Sequence, residues 1–340
     1  MAKLGIYADP HFSLNSSIVN GKQNGFSSRL SNLIESFKWM NGLFEEHNVD
    51  MVVCLGDLTD RPILSAEEIT ALSMCNLEDH YFIVGNHCRS DKDGKLNALS
   101  MFKHVFSSPE TIEIDNALIH ILPYNSDIYD LPEGVDIILS HNEIKNYNFG
   151  DYISTTGYEM TDILKSCKLF INGHLHNGSW VVKDRIINLG QLSGMNFSST
   201  GGDWEPSVGI LDTETLKLDL FENPVAYRFK KLECQHLPQL KSYLDNLPPI
   251  GQYVIQVKTT ADIAEDCRKL LDQSQKVIAS RILTVTPDVQ KHSGNLDLKQ
   301  LSSEGTVYDK FKAFLAEQPS LKFDFKKLCK IIDQLQEDQL

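Results

Sequence analysis

Residues 169–178, LFINGHLHNG, carry an apolar run into a turn that sets His174 and His176 one residue apart between glycines. The run reads as a buried strand, so both imidazoles stand at its C-terminal lip. Two readings compete. Histidines are ordinary residues of turns and surface loops, whereas two imidazoles two positions apart on an extended turn project the same way and suit a metal ion. The pair alone does not choose. The choice depends on whether other strand ends supply more ligands.

They do. The first 220 or so residues alternate short β-rich runs with helical patterns. Strands are predicted at 3–8 (KLGIYA), 51–56 (MVVCLG), 80–85 (HYFIVG), 118–124 (LIHILPY), 136–141 (DIILSH), 168–173 (KLFING), 185–190 (RIINLG) and 207–212 (SVGILD). Several are near-continuous apolar runs, as expected where both faces of a sheet are covered. A helix of about 20 residues starts near Ser27 or Ser28, with Leu30, Leu33, Ile34, Phe37, Met40 and Phe44 on the 3.6-residue period. A second helix opens with a capping box from Ser65 to Glu68. The pattern predicts a layered α/β fold.

Five of the strands run into residues suited to metal ligation: Asp9-Pro10-His11, Gly56-Asp57, Gly85-Asn86-His87, His141, and His174-Leu175-His176. Parallel strands deliver their C-terminal ends to one rim, where open α/β sheets place their sites. Oxygen and nitrogen donors without thiolates suit Mn²⁺, Fe²⁺ or Zn²⁺ better than Ca²⁺ or a structural zinc. Seven ligand candidates exceed what one ion needs and match two ions sharing a carboxylate. Such a pair, about 3.5–4 Å apart, suits in-line displacement at phosphorus.

The order D-x-H, G-D, G-N-H, H, G-H-x-H over residues 9–176 resembles the calcineurin-like metallophosphoesterase family. Each element is weak alone; their joint occurrence at successive strand ends is specific. The resemblance implies an α/β/β/α sandwich and a dinuclear centre, with Mn²⁺ expected and Mg²⁺, Fe²⁺ or Zn²⁺ as substitutes. By position, Asp9, His11, Asp57 and His176 would hold one ion, and Asp57 would bridge to a second held by Asn86, His141 and His174. His87 would act beside the phosphate as general acid or stabiliser of the leaving oxygen. The chain departs from the pattern twice: Cys88 follows G-N-H where aspartate is usual, and Asp60 stands where the DNA-repair branch often has histidine.

Beyond Pro224 the pattern is strand, helix, strand, helix, strand, a small α/β unit of roughly 70 residues. Two helical patterns follow, the second with Phe325, Leu328, Ile331, Ile332 and Leu335 on one stripe. This gives three expected parts: a catalytic domain over 1–223, a capping domain over 224–296 and C-terminal helices over 297–340. The layout resembles SbcD-type nucleases of double-strand-break repair, most nearly the recombination endonuclease subunits of large bacteriophages. That resemblance implies a DNA exonuclease/endonuclease whose cap presents DNA ends, hairpins or single strands. Its C-terminal helices would bind an SbcC-type ABC ATPase, with a homodimer inside a heterotetramer.

Composition sets limits on these readings. The 340 residues are 41% hydrophobic and 23% charged, ordinary for a globular chain. No apolar run approaches the roughly 20 residues of a membrane span, and the first residues read as a strand, not a signal peptide. Seven dispersed cysteines without a C-x-x-C pair fit a reducing cytoplasm, that of a host cell if the chain is phage-encoded. The net charge of −14 opposes bulk attraction to DNA. Local cations near the motifs, Lys22, Arg29, Arg89, Lys92 and Lys95, are candidate DNA contacts, with a solvated loop as the ordinary alternative. His47, His80, His104, His120, His236 and His292 read as packing residues. A small-molecule or cyclic-nucleotide phosphodiesterase with an accessory domain is the second functional reading. A non-catalytic scaffold is the third, disfavoured because no metal ligand is missing.

Overall fold

A computed structural model describes residues 2–285 except 17–18, 20, 93–94, 126–129, 148–152 and 198–203. Strand β1 (Lys3–Tyr7) shows why the chain builds two stacked sheets, since it is buried on both faces. Leu4 and Ile6 enter one apolar cluster with Ile119, Ile121, Ile137, Leu139, Leu169 and Ile171 of the opposite sheet. Tyr7 enters another, with Leu30, Leu33, Phe37 and Met40 of helix α1 (Ser28–Glu46). Alternate side chains therefore serve two cores, which is why the strand reads as one apolar run.

The first sheet has the order β14 (Leu218–Glu222), β13 (Ser207–Asp212), β1, β4 (Met51–Cys54), β5 (Tyr81–Ile83), β6 (His104–Phe106). Strands β1, β4, β5 and β6 run parallel, and β13 and β14 close one edge antiparallel. The second sheet has the order β11 (Ser179–Val182), β12 (Ile186–Asn188), β10 (Cys167–Asn172), β9 (Val135–Ser140), β8 (Ala117–Leu122), β7 (Glu110–Ile114). Its four inner strands are parallel and its two edges antiparallel. Helices α1 and α2 (Ala66–Leu72) cover the first sheet, and α3 (Met160–Ser166) covers the second through Ile163 against Ile138 and Phe170. The result is a helix–sheet–sheet–helix α/β sandwich, as the sequence predicts.

Local signals operate as expected. Ser27 caps α1 by accepting from the Leu30 N–H, and Ser65 and Glu68 close a full capping box on α2. A small hairpin, β2 (Lys22–Gln23) with β3 (Phe26–Ser27), precedes α1.

The third sheet is parallel throughout: β15 (Tyr227–Glu233), β16 (Gln252–Thr260) and β17 (Val277–Val285). Helices α4 (Leu237–Asn246) and α5 (Ala264–Gln273) give it its own core of Leu240, Leu244, Tyr253, Ile255, Val257, Cys267 and Leu271. Despite that core, Met1–Val285 packs as one unit. Tyr227 and Phe229 join Val19 and Phe197 in a shared cluster. The Tyr227 hydroxyl donates to the Ser28 carbonyl at 2.9 Å, and the Asn32 amide donates to the Val225 carbonyl at 2.6 Å. The expected C-terminal helices, with Phe325 and its apolar stripe, the last residues of the expected cap and His292 lie outside the described residues. No helix among the described residues is long and apolar enough to cross a membrane.

His80 packs as expected, 7% exposed, with Nδ1 3.2 Å from the Tyr7 hydroxyl. Burial pulls its pKa down to about 4. An unfolded chain binds that proton near the ordinary histidine value of about 6.5. The neutral ring's contribution is therefore complete above pH 6.5 and is lost as pH falls from 6.5 to 4. The span is worth on the order of 3 kcal/mol. We expect the urea midpoint of the wild type to fall more steeply over that range than that of His80→Gln; parallel profiles would show that His80 titrates normally.

Candidate metal centre

Every predicted ligand lies where a parallel strand ends. Asp9 and His11 follow β1, Asp57 follows β4, and Asn86 and His87 follow β5, all in the first sheet. His141 follows β9, and His174 and His176 follow β10, in the second. The shared core stacks the two sheets face to face, with these ends at one rim. The backbone there is unusual: Asp9, His11, Asp57 and His174 have φ of 50°, 45°, 46° and 74°. Non-glycine residues adopt this region at a cost and keep it only where the surroundings fix it. Two glycines make the approach possible. A Cβ on Gly56 would lie 2.2 Å from the His141 ring, and one on Gly85 would lie 2.2 Å from Asp57 Oδ1.

The donors form adjoining groups. Asp9, His11 and His176 offer ligand atoms within 4.8 Å of one another, and so do Asp57, His141 and His174. A third such group, of His11, Asp57 and His87, lies across the two. His11 Nε2 faces His176 Nε2 at 2.8 Å. Asn86 Oδ1 lies 3.0 Å from His174 Nδ1 and 3.2 Å from His141 Nε2. Asp57 Oδ2 is 3.1 Å from His141 Nε2 and 3.8 Å from His11 Nε2, so this carboxylate reaches both groups. His174 and His176 fall in different groups. The left-handed turn at His174 sends them into neighbouring ones.

The outward nitrogens show that these imidazoles are set for ligation. His141 Nδ1 lies 2.8 Å from the Leu55 carbonyl, which can only accept, so that nitrogen carries its proton and Nε2 faces the centre. His11 turns Nδ1 to the Asp60 carboxylate at 3.3 Å, and His174 turns Nε2 to Glu143 at 3.6 Å. Each arrangement turns the other ring nitrogen inward, the outer-shell pattern of metal-binding histidines. Electrostatics agree. Burial and the neighbouring His11 hold His176 well below the usual histidine range, hence neutral. Burial pushes the Asp9 carboxyl up. At Asp57 burial acts in the same sense but is outweighed by His141 and His11, which hold it below the carboxylate range. His141 is correspondingly pushed up to about 8: burial opposes this, and Asp57 prevails. Buried carboxylates facing several imidazoles fit divalent cations.

Two residues add to the sequence reading. Asp60, whose position breaks the family pattern, approaches His11 with its carboxylate and His87 Nδ1 with its carbonyl at 3.0 Å. The hydrogen bond with His11 lowers its pKa. Glu143 had no sequence signal beyond being an acid two residues after His141. The His174 contact holds its pKa down to about 2, and the Ser154 and Thr156 hydroxyls donate to its other oxygen.

The candidate DNA contacts divide. Lys22, Lys92 and Lys95 are exposed. Arg89 stacks over the Tyr124 ring at 4.8 Å, and that ring lies 5.3 Å from His174, at the edge of the centre. Arg29 is a correction. It is 1% exposed and spends its donors on the carbonyls of Pro10, Ser193 and Gly194, so it cannot meet a solvent-borne phosphate.

A buried cluster of carboxylates and imidazoles at the convergent strand ends of an α/β sandwich defines a metal-dependent hydrolase. The chain belongs to the calcineurin-like phosphoesterase family, whose model matches residues 2–197. It is thus a metal-dependent phosphoester hydrolase with divalent metal cofactors. No curated protein matches the chain. Among solved structures, the YfcE phosphoesterase from E. coli is similar at 15% identity and a TM-score of 0.34, covering 65% of this chain and 99% of that one. The NAD nucleotidase NadN of Haemophilus influenzae is similar at 14% identity and a TM-score of 0.32, covering 66% of this chain and 45% of that one.

Because the Asp57 carboxylate lies within 4 Å of an imidazole of each donor group, Asp57→Ala is expected to reduce bound metal more than any other single ligand change and to abolish hydrolysis. Metal analysis of the purified variant checks this; a full complement of ions would remove Asp57 from the centre of the site.

Proposed function

We propose that the chain is a DNA nuclease with a dinuclear centre, expected to work with Mn²⁺, and the nuclease subunit of an SbcCD-like recombination and repair complex. One observation carries the reading. Beside the metal centre a cleft of about 500 Å³ runs from His176 along the third sheet, lined by Trp204, Tyr243, Lys231 and Lys230, whose ammonium pairs with Glu205 of the same wall at 2.6 Å. Rings for stacking and cations for phosphates suit a nucleic-acid strand. Arg89 and the exposed Lys22, Lys92 and Lys95 add local cations to an acidic chain.

The donor groups would hold divalent ions, which would supply Lewis-acid stabilisation of charge on the phosphoryl oxygens. The chain's own residues supply the rest. Because the Asp60 carbonyl only accepts, His87 Nδ1 carries a proton, and Nε2 is the atom that exchanges one with the leaving oxygen. The His87 side chain is 41% exposed, so it can meet a substrate. Its backbone N–H donates to Asp57 Oδ1 at 2.8 Å, which ties it to the centre without using the ring.

A small-molecule or cyclic-nucleotide phosphodiesterase is the second reading. The cleft volume suits a single nucleotide-sized ligand, and the net charge of −14 opposes long-range attraction to DNA. Linear duplex, hairpin and single-stranded DNA should be assayed with Mn²⁺ beside a cyclic nucleotide and bis-p-nitrophenyl phosphate. Cleavage of DNA supports the nuclease; turnover of the small diesters alone supports the second reading. His87→Ala is expected to keep its metal and lose about 10²–10⁴-fold in turnover. Loss of the ions would make His87 a ligand.

In the proposed complex, residues 297–340 dock an SbcC-type ABC ATPase, and two copies of this chain sit in a heterotetramer in the cytoplasm, a host's if the chain is phage-encoded. Deleting residues from 297 should leave bis-p-nitrophenyl phosphate hydrolysis intact and remove ATP-stimulated digestion of duplex DNA. A truncated chain that keeps full ATP-stimulated activity would refute the docking.

A further inference from the structure

Arg29 is the largest fully buried side chain among the described residues. Burying a guanidinium costs several kcal/mol unless its donors are well placed, and the start of a surface helix offered it solvent instead. Its Nη2 donates to the Pro10 carbonyl at 2.9 Å and its Nη1 to the Gly194 carbonyl at 2.8 Å, with longer contacts to Ser193. Nε has no hydrogen-bond partner among the described residues. The group stays charged at neutral pH, because burial lowers its pKa only to about 10.

What it grips is specific. Pro10 lies between Asp9 and His11, both in the left-handed region. The Asp9 and His11 N–H groups bond to the Gly56 and Asp57 carbonyls at 3.2 and 3.0 Å. Proline has no N–H, so its carbonyl is the remaining backbone handle at the middle of that strained turn. At the other end, residues 191–194 hold two segments of the centre. Leu192 N–H donates to the Ala8 carbonyl at 3.0 Å, next to Asp9, and Gln191 N–H donates to the His176 carbonyl at 3.3 Å. Arg29 and this turn therefore clasp the two segments that carry Asp9, His11 and His176. None of the Arg29 hydrogen bonds among the described residues reaches the segments of Asn86 or His141, and His174 is tied to this turn only by its own N–H, which donates to Asp9 at 3.0 Å.

The geometry points to Arg29 as a positioning residue for one of two metal sub-sites, that of Asp9, His11 and His176. It fixes the Asp9–Pro10–His11 turn against the 191–194 turn without touching ion or substrate. The inference rests on the dinuclear reading above.

The test is equilibrium dialysis of the metal-free full chain against Mn²⁺, with metal analysis and the melting temperature of the metal-free protein. R29M is expected to keep one ion at wild-type affinity and to bind the other about 10–100-fold more weakly, the usual scale for outer-shell changes. R29K keeps the charge but reaches one carbonyl, so it should weaken the same ion by less. His176→Ala identifies the ion: R29M added to it should cost little further binding, whereas R29M added to His174→Ala should leave both ions weak. Equal weakening of both ions, or no weakening in either Arg29 variant, would overturn the assignment. If R29M does not fold, R29K carries the test; if neither folds, the guanidinium serves the fold and the assignment is wrong. A wild type that binds one ion would instead remove the dinuclear reading, and the assignment would then require R29K and His176→Ala to weaken that ion alike.

Discussion

The Asp57 carboxylate is where the two sheets depend on each other. One oxygen accepts the His87 N–H at 2.8 Å, which joins the ends of β4 and β5. The other lies 3.1 Å from His141, which comes from the second sheet. A buried carboxylate is strongly unfavourable without such partners, so the charge requires both sheets to bring their strand ends to one point. Cations complete this balance. The site is therefore a constraint on the sandwich as well as a use of it.

Non-directional packing brings the sheets face to face, and directional bonds then select how their ends line up. The apolar cluster between the sheets is built of Leu, Ile, Val and Ala, which fix spacing but discriminate poorly between neighbouring alignments. Left-handed residues at Asp9, His11, Asp57 and His174 turn the chain just past each strand. Gly56 and Gly85 remove the Cβ atoms that would block the contact. The G-D and G-N-H motifs thus combine a ligand with the clearance that the ligand needs.

What was legible in the sequence follows from that chemistry. The inner strands were visible because burial on both faces writes continuous apolar runs, and the candidate ligands were visible because they follow those runs directly. The edge strand β7 was missed because it is mostly exposed and its residues ETIEI mix polar with apolar. Helix α3 was missed because it has seven residues and no side-chain N-cap hydrogen bond. Glu143 and Asp60 act on histidines that only the folded chain brings near. Arg29 was misread for a related reason: composition shows a cation near a metal motif but not which way it faces, and its partners are carbonyls 19 and 164–165 residues away.

The arrangement divides labour between rigid and adjustable parts. Ligands sit at the ends of central strands, where displacement would cost packing in the shared core. The cleft wall comes from the third sheet, whose own core of Tyr253, Ile255, Val257 and the two helices is separate from that of the sandwich. The two are joined through the small apolar cluster of Tyr227 and Phe229 with Val19 and Phe197, and through polar bonds that include Tyr227 N–H to the Ser193 hydroxyl at 3.0 Å and Gly194 N–H to the Tyr227 carbonyl at 2.9 Å. Substitutions along the third sheet can therefore reshape what lies beside His176 while leaving the donor groups as they are. In this chain the fold determines where phosphoester chemistry happens, and the proposed function assigns the choice of phosphoester to the wall.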